Sequence, residues 1–235
     1  MTMATATTKT RKWLINYIPT LMAAALILYF AIAREQSPLK TLPTLVTLCV
    51  QLLLVSANRY AFLLGGTNAL LYGAAYFSEG LYFSTVSAVL ISAPIQLFSF
   101  IRWSKHRRTD NSTALKRLNS RAWCIVIAAI TAGFALCYFL LAPFFANANY
   151  PLLDALCFTL GIVVSLLAAF RYVESQYISA VSTCISIVMW ILIARSAPEN
   201  FNYVIISVYN CFRVTQAACR WTKTYTQQIK EENQA

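Results

Sequence analysis

Seven long apolar stretches without a charged residue constrain this chain more than any other feature of its sequence. About 20 helical residues cross the hydrocarbon core of a bilayer, and each stretch is long enough or nearly so. The chain is therefore predicted to be an all-α, polytopic membrane protein. The stretches are residues 13–33, 41–57, 60–77, 80–101, 122–151, 155–170 and 175–194.

The first, fifth and last segments need separate treatment. The fifth run ends in a stretch with two prolines and two asparagines, so its spanning part is predicted at 122–141. An eighth segment at 200–222 contains Arg213. The first run, 13–33, is longer than an ordinary signal-peptide core, so we expect it to be a retained helix. Eight crossings place both termini on one side of the membrane.

Composition supports the same class of protein. With 59% hydrophobic and 11% charged residues, the chain carries too little charge to cover a soluble domain of 235 residues. The net charge of +11 could indicate nucleic-acid binding. However, the basic residues fall almost wholly between and beside the apolar runs, which is typical of a topology signal. No nucleic-acid partner is predicted.

The lysines and arginines predict which side holds the termini. Of these 19 residues, only Arg34, Lys40 and Arg195 fall on the far side, and Arg213 lies within a segment. The others lie on the side shared by the termini. Because cytoplasmic loops are rich in positive charge, both termini are predicted to be cytoplasmic, in the cell (inner or plasma) membrane.

A repeated phrase indicates an internal duplication. Arg-Trp-Ser-Lys at 102–105 and Arg-Trp-Thr-Lys at 220–223 each close a block of three apolar segments. We predict one membrane domain over 1–235, with an N-terminal helix at 13–33, repeat 1 at 41–103, a linker helix at 122–141 and repeat 2 at 152–222. Four crossings separate equivalent helices, so the repeats in this 3+1+3 plan are parallel. Such duplication is common in small-solute carriers.

Residues in both halves resemble a known family. Tyr-Phe-Ser-Glu-Gly-Leu-Tyr at 76–82, Ser-Ala-Pro-Ile-Gln at 92–96 and Trp103 resemble the first repeat of PnuC-type vitamin transporters. Asp154, the stretch 171–174 and Trp221 resemble the second repeat. The resemblance implies a SWEET-like fold and facilitated diffusion (uniport) of a nucleoside-like vitamin, typically nicotinamide riboside. It also implies trapping of the substrate by a cytosolic kinase, and a homotrimer.

One stretch departs from the family pattern. Nicotinamide riboside carriers of this family place tryptophans and an asparagine after the glutamate that opens the second repeat's middle helix. This chain has Gln176, Ser179, Ser182 and Thr183 there. Stacking of a pyridinium ring by tryptophans is therefore not expected at this place. A deoxyribonucleoside or thiamine carrier of the same family stays an alternative.

Candidate binding residues are amides, hydroxyls and rings within the spans. An unpaired polar group is costly in lipid, so such side chains should face protein or a watery cavity. A flat heteroaromatic solute with a sugar needs amide partners and ring faces. Asn68, Tyr72 and Tyr76 share one helix face, and Gln96 follows Pro94, where a bend is expected. The full set is Asn68, Tyr72, Tyr76, Gln96, Gln176, Thr183, Trp190, Tyr209, Asn210 and Gln216.

Structural roles compete with binding for many of these residues. Buried amides often only join neighbouring helices. Four tryptophans at helix boundaries, Trp13, Trp103, Trp123 and Trp221, are predicted to be interfacial anchors. Asp154 and Glu79 lie near helix ends, where capping or a bond to a neighbouring helix is expected.

Catalysis is not predicted. The single histidine, His106, lies in a basic loop, the cysteines show no C-x-x-C spacing, and no nucleotide-binding or hydrolase motif is present. No cofactor or metal is expected, and the predicted partners are a small solute and the bilayer. The polar loop at 104–121 and the tail after Lys223 are expected on the cytoplasmic surface. A substrate-binding subunit of an ATP-driven vitamin importer is the alternative from another class.

Overall fold

The computed structural model describes residues 3–105, 113–144 and 149–234, with no account of the side chains of 3–16 and 141–142. Within these ranges the chain forms eight long helices, as predicted. They are α1 (Met3–Ala33), α2 (Pro38–Val55), α3 (Tyr60–Ser78), α4 (Tyr82–Lys105), α5 (Ser120–Ala135, continued by a π-helical turn at Leu136–Leu141), α6 (Pro151–Ala169), α7 (Glu174–Ser196) and α8 (Phe201–Glu232). His106 and Asn147 lie outside the described residues, as does the side chain of Trp13.

Five of the helices in the described ranges, α2 and α4 to α7, are long and apolar enough to cross a membrane. In α1 the part whose side chains the structure describes, Tyr17–Ala33, is apolar. α3 and α8 are outside this group; α8 is the less apolar of the two because it carries amides, hydroxyls and Arg213. The outer helices α1 and α8 extend beyond the predicted segments, to Met3 and Glu232.

Prolines explain two irregular turns. A π-helical turn at Ser87–Ser92 interrupts α4 directly before Pro94, and another at Leu136–Leu141 ends α5 before Pro143. Proline lacks an N–H donor, and its ring clashes with the carbonyl four residues earlier. Both of those carbonyls lie inside the π turns, whose wider spacing accommodates the proline. The bend predicted near Pro94 thus takes the form of a π turn.

Helices of each half pack against one another and against helices of the other half. α2, α3 and α4 pack in sequence, and so do α6, α7 and α8. Between the halves, α2 packs on α8 and α4 packs on α6, so the first helix of each half contacts the last helix of the other half. α1 lies against α8 and α2, and α5 lies against α6. These are contacts that a pair of parallel repeats requires, and the exact 3+1+3 repeat stays a prediction.

The two repeated tryptophans meet at one end of the bundle, called the tryptophan end below. Trp103 and Trp221 are both 1% exposed, and their ring centroids lie 5.4 Å apart. Trp103 Nε1 donates to the Ala168 carbonyl at 3.0 Å, and Trp221 Nε1 donates to the Leu54 carbonyl at 3.2 Å. Each indole therefore binds the end of the other half's first helix. The prediction that these two are interfacial anchors is wrong.

Charged and amide side chains close the opposite end, called the lysine end below. Lys40 Nζ lies 2.5 Å from Glu79 Oε1 and donates to Asn200 Oδ1 at 3.1 Å. Asn200 Nδ2 donates to Glu79 Oε2 at 2.6 Å. Asn200 is fully buried and belongs to the second half, whereas Lys40 and Glu79 belong to the first. The bond predicted from Glu79 to a neighbouring helix is confirmed.

The segment 113–117, expected to be a surface loop, is instead docked into the tryptophan end. Leu115 is 6% exposed and packs in one cluster with Trp103 and Trp221. Its N–H donates to Gln228 Oε1 at 3.0 Å, and Gln228 Nε2 donates to the Thr113 carbonyl at 3.0 Å. The tail after Lys223 is likewise not a free polar tail, because Gln228 is buried on the continuing α8.

Candidate substrate cavity

A cavity of about 300 Å³ lies between the two halves, within the spans and between the two closed ends. It is called the central cavity below. All three helices of the first half and two of the second contribute to it. Its lining consists of Val50, Gly65, Asn68, Ala69, Tyr72, Tyr76, Ser84, Ser87, Ala88, Ser92, Gln96, Cys157, Phe158, Ser182, Ser186 and Met189.

α3 supplies one amide and two phenol groups to this lining. Asn68, Tyr72 and Tyr76 follow one another every four residues, so they lie along one helix face as predicted. Asn68 Nδ2 donates to Thr47 Oγ1 at 2.9 Å, and the hydroxyls of Thr47 and Tyr72 lie 3.0 Å apart. These bonds to α2 fix both side chains.

The amide oxygen of Asn68 is available to a solute. Asn68 is 5% exposed, and its Oδ1 has no hydrogen-bond partner within the described part of the chain. A buried acceptor without a partner is costly in a medium of low polarity. A solute that donates a hydrogen bond to this oxygen would satisfy it.

Gln96 reaches the cavity because glycine stands opposite it. A Cβ atom placed on Gly65 would lie 2.0 Å from Gln96 Oε1. A side chain at position 65 would displace the Gln96 amide from this position between α3 and α4. Gly65 of α3 therefore leaves space for the side chain of Gln96, which lines the cavity.

Asp154 lies outside the cavity lining and binds the residues at the start of α4. Its carboxylate is fully buried and accepts hydrogen bonds from the N–H groups of Phe83 and Ser84, both at 3.1 Å. It also accepts one from the Ser84 hydroxyl. A carboxylate at a helix N-terminus satisfies free N–H groups and interacts favourably with the helix dipole. The predicted capping role is confirmed, and it holds the cavity residue Ser84 in place.

Stacked aromatic rings support one wall. Tyr76 lies 6.0 Å from Trp190, which stacks on Tyr203 with centroids 4.2 Å apart and planes 20° apart. Tyr72 lies 5.2 Å from Tyr76. Tyr72 and Tyr76 of α3 and Phe158 of α6 line the cavity, whereas Trp190 and Tyr203 pack behind the two tyrosines.

Four of the ten predicted binding residues line the cavity, namely Asn68, Tyr72, Tyr76 and Gln96. Six lie outside its lining: Gln176, Thr183, Trp190, Tyr209, Asn210 and Gln216. Their role in binding stays a prediction.

The six residues outside the lining have other surroundings. Thr183 bonds the Ser179 carbonyl within its own helix at 2.7 Å. Tyr209 and Gln216 accept hydrogen bonds from Arg213, at 3.0 and 2.7 Å. Gln176 and Asn210 each keep a buried amide oxygen without a hydrogen-bond partner among the described residues.

Small hydroxyl residues were missed as lining residues. Ser84 and Ser87 stand three apart on α4, and Ser182 and Ser186 stand four apart on α7, so each pair shares a helix face. That spacing within an apolar run was the available signal. The cavity adds hydroxyls to the amides and rings, and none of its described lining residues is charged. The described residues also contain no group of side chains suited to a metal.

Comparison with known proteins decides the family. The family model described as nicotinamide mononucleotide transporter matches residues 37–223. The chain belongs to this family of transporters. The match begins after α1 and ends at Lys223, so it contains both predicted repeats. The resemblance to PnuC-type transporters is thereby confirmed, and the protein is a multi-pass membrane protein.

A solved structure establishes the same fold. The crystal structure of the vitamin B3 transporter PnuC aligns with a TM-score of 0.78 and 20% sequence identity. The alignment covers 90% of this chain and 92% of that chain. A search of the curated proteins finds no significant match.

Proposed function

We propose that this family member carries a nucleoside-like vitamin, nicotinamide riboside first, by facilitated diffusion across the cell membrane. The observation that carries the proposal is the uncharged central cavity with the unpaired amide oxygen of Asn68. In this proposal both termini lie in the cytoplasm, and a cytosolic kinase traps the substrate by phosphorylating it.

The absence of charge from the described lining favours a nucleoside over a nucleotide. A nucleotide phosphate carries about two negative charges near neutral pH, as other phosphate monoesters do. Moving such a group into a buried site without cationic partners costs many kcal/mol. The lining offers amides and hydroxyls instead of arginine or lysine. The transported form is therefore the dephosphorylated one.

The neutral groups suit the two parts of nicotinamide riboside. The ribose hydroxyls can bond Ser84, Ser87 and Gln96, and the carboxamide N–H can donate to Asn68 Oδ1. The positive pyridinium ring suits the faces of Tyr72 and Tyr76, because a cation over an aromatic face is stabilised by roughly 1 kcal/mol or more. These tyrosines of the first half take the place of the tryptophans that are absent from residues 176–183 of the second half.

In the proposed transport mechanism, the two ends of the cavity open alternately. The halves meet around the cavity, so rocking one half against the other opens the lysine end or the tryptophan end in turn. A carrier of this kind equilibrates its solute. Phosphorylation after entry then supplies direction, since the phosphorylated product no longer fits the uncharged cavity.

Counterflow in proteoliposomes without an energy source tests the proposal. Vesicles loaded with unlabelled nicotinamide riboside should take up the labelled compound, and nicotinamide mononucleotide should not compete. Asn68→Ala should lower uptake roughly five- to thirtyfold, because one buried hydrogen bond contributes about 1 to 2 kcal/mol. Gln51→Ala is the matched control and should retain uptake, because Gln51 also has a buried amide oxygen without a partner among the described residues but lies outside the cavity lining.

Three results would overturn the proposal. Competition by the mononucleotide equal to that of the riboside would show that phosphate is accepted. Uptake of thiamine or a deoxyribonucleoside, without uptake of nicotinamide riboside, would show that the substrate is a different one. A need for ATP and a second protein would indicate an importer subunit.

A further inference from the structure

The segment 113–117, which lies between the two halves in the chain, crosses the tryptophan end. It is called the strap below. Its sequence, Thr-Ala-Leu-Lys-Arg, contains one large apolar side chain, that of Leu115. Thr113 and Leu115 are buried, whereas Lys116 and Arg117 are exposed. The strap lies outside the helices, so its position depends on bonds to other parts of the chain.

The turn between α6 and α7 holds the middle of the strap. The Lys116 N–H donates to the Arg171 carbonyl at 2.9 Å, and the Val173 N–H donates to the Lys116 carbonyl at 3.0 Å, as in a parallel β-bridge. Arg171 is 3% exposed, and its Nη1 donates to the Ala114 carbonyl at 3.0 Å. Its backbone has a φ of 69°, which is unfavourable for a residue other than glycine. Such a conformation persists where the surrounding bonds impose it, so the strap and this turn fix each other's shape.

Side-chain bonds hold the two ends of the strap. At its start, the Gln228 amide of α8 accepts from the Leu115 N–H and donates to the Thr113 carbonyl, both at 3.0 Å. At its end, Arg117 Nε lies 3.2 Å from Glu174 Oε1, and the Glu174 side chain is only 2% exposed. A buried carboxylate is costly without its cationic partner, so this ion pair favours the docked strap. All of these partners lie on α7 and α8 or on the turn between α6 and α7, which are parts of the second half.

Leu115 is the residue through which the strap meets the first half. It belongs to one buried cluster with Trp103 of the first half and Trp221 of the second. On the side of the first half, Thr113 and Trp103 line a cavity of about 200 Å³ together with residues 56–60, where α2 ends and α3 begins. Hydrogen bonds therefore hold the strap to the second half, whereas the packing of Leu115 joins it to the first.

We propose that the strap moves with the second half and holds the tryptophan end closed, with Leu115 as the plug between the halves. The inference rests on the proposed function, because it concerns how one end of the central cavity opens. Opening this end separates Trp103 from Trp221, so Leu115 loses its apolar surroundings. The burial of Leu115 therefore adds to the free energy that keeps this end closed. The hydrogen bonds of the strap stay intact during opening, because their partners belong to the half with which it moves.

Labelling of Cys157 from each side of the membrane tests the strap. Cys157 lines the central cavity, so in a full-length variant that keeps it as the only cysteine, a membrane-impermeant maleimide reaches it through the end that is open. Right-side-out and inverted vesicles give the two directions, and labelling of Lys116→Cys in a chain without other cysteines marks the side of the tryptophan end, because that side chain is exposed. Leu115→Ala should speed labelling of Cys157 through the tryptophan end roughly tenfold or more, and leave labelling through the lysine end unchanged. Gln228→Ala should speed it roughly fivefold, because the bonds that position Leu115 are lost.

Leu118→Ala is the matched control, because Leu118 follows the strap closely but packs against a different cluster, which contains Val126 and Leu160. Its labelling rate should equal that of the unsubstituted chain. The assay contains no solute, so its result does not depend on which compound is carried, and a failure of counterflow with nicotinamide riboside would leave it unaffected. The proposal is overturned if Leu115→Ala leaves the rate through the tryptophan end unchanged or if Leu118→Ala raises it equally. It is also overturned if labelling rises equally through both ends, which would indicate a general loosening of the bundle.

Discussion

The two ends of the bundle close the same cavity with different chemistry. At the lysine end, Lys40, Glu79 and Asn200 join the halves through an ion pair and amide hydrogen bonds. At the tryptophan end, Trp103 and Trp221 join them through buried rings, with one indole bond each to the other half. Both ends hold the halves together. Water can hydrate the polar groups of the lysine end when they separate, whereas exposure of the indole rings of the tryptophan end to water is unfavourable.

That difference indicates which end opens at the lower free energy. When the lysine end opens, water replaces each lost hydrogen bond, so the net cost per bond is about 1 kcal/mol. Opening the tryptophan end exposes two indole rings, each of which gains several kcal/mol from burial. The resting carrier should therefore open toward the lysine end more readily than toward the tryptophan end.

The largest expected effect is loss of a buried indole. Trp221→Ala should lower the free energy of unfolding by about 3 to 5 kcal/mol, because it leaves a large cavity beside Trp103 and removes the indole hydrogen bond to the Leu54 carbonyl. Denaturation in mixed micelles measures this. Trp123→Ala is the control, since Trp123 is only half-buried against α6, and its loss should be smaller. Equal losses would mean that the tryptophan end is not a special anchor.

An intermediate effect is expected from the ion pair. Lys40→Met and Glu79→Gln should each lower the free energy of unfolding by about 1 to 3 kcal/mol, because each leaves a partly buried partner unpaired. The double variant should lose less than the sum, with a coupling of about 1 to 2 kcal/mol.

Glu199→Gln is the control for the ion pair. Glu199 lies 4.0 Å from Lys40 Nζ, and its side chain is 46% exposed, so its loss should change stability little. Strict additivity of Lys40→Met and Glu79→Gln would show that this ion pair does not hold the lysine end closed.

A smaller effect is expected where the segment 113–117 docks. Gln228→Ala removes the partner of the Leu115 N–H and of the Thr113 carbonyl, at a cost of about 1 to 2 kcal/mol. Hydrogen exchange at the Leu115 amide should become faster, while Gln227→Ala on the exposed side should leave it unchanged. Unchanged exchange in Gln228→Ala would remove this segment from the closure of the tryptophan end.

The sequence predicted the helices well because run length and charge report directly on membrane crossing. It did not predict how far α1 and α8 extend, because hydropathy does not mark helical turns outside the bilayer. The prediction that Trp103 and Trp221 are interfacial anchors was also wrong. The sequence alone does not distinguish an indole at a helix end that faces lipid headgroups from one that packs against a second repeat. Only the packing of α2 on α8 and α4 on α6 separates these cases.

The sequence predicted some residues of the candidate site and missed others. Asn68, Tyr72 and Tyr76 were found because large polar groups at helical spacing stand out in an apolar run. The serines of α4 and α7 were missed because serine is common in membrane helices for local bonds to carbonyls. The predicted residues of α8 could not be sorted without knowing which face of that helix carries Arg213.

Substrate protection of a single cysteine tests most directly whether the central cavity is the transport site. Cys157 lines the central cavity and Cys49 lines a separate cavity between α1, α2 and α8, so two variants that keep one or the other give matched probes. Nicotinamide riboside should slow the reaction of Cys157 with a maleimide severalfold and leave that of Cys49 unchanged. Protection of Cys49 instead, or of neither cysteine, would contradict the account.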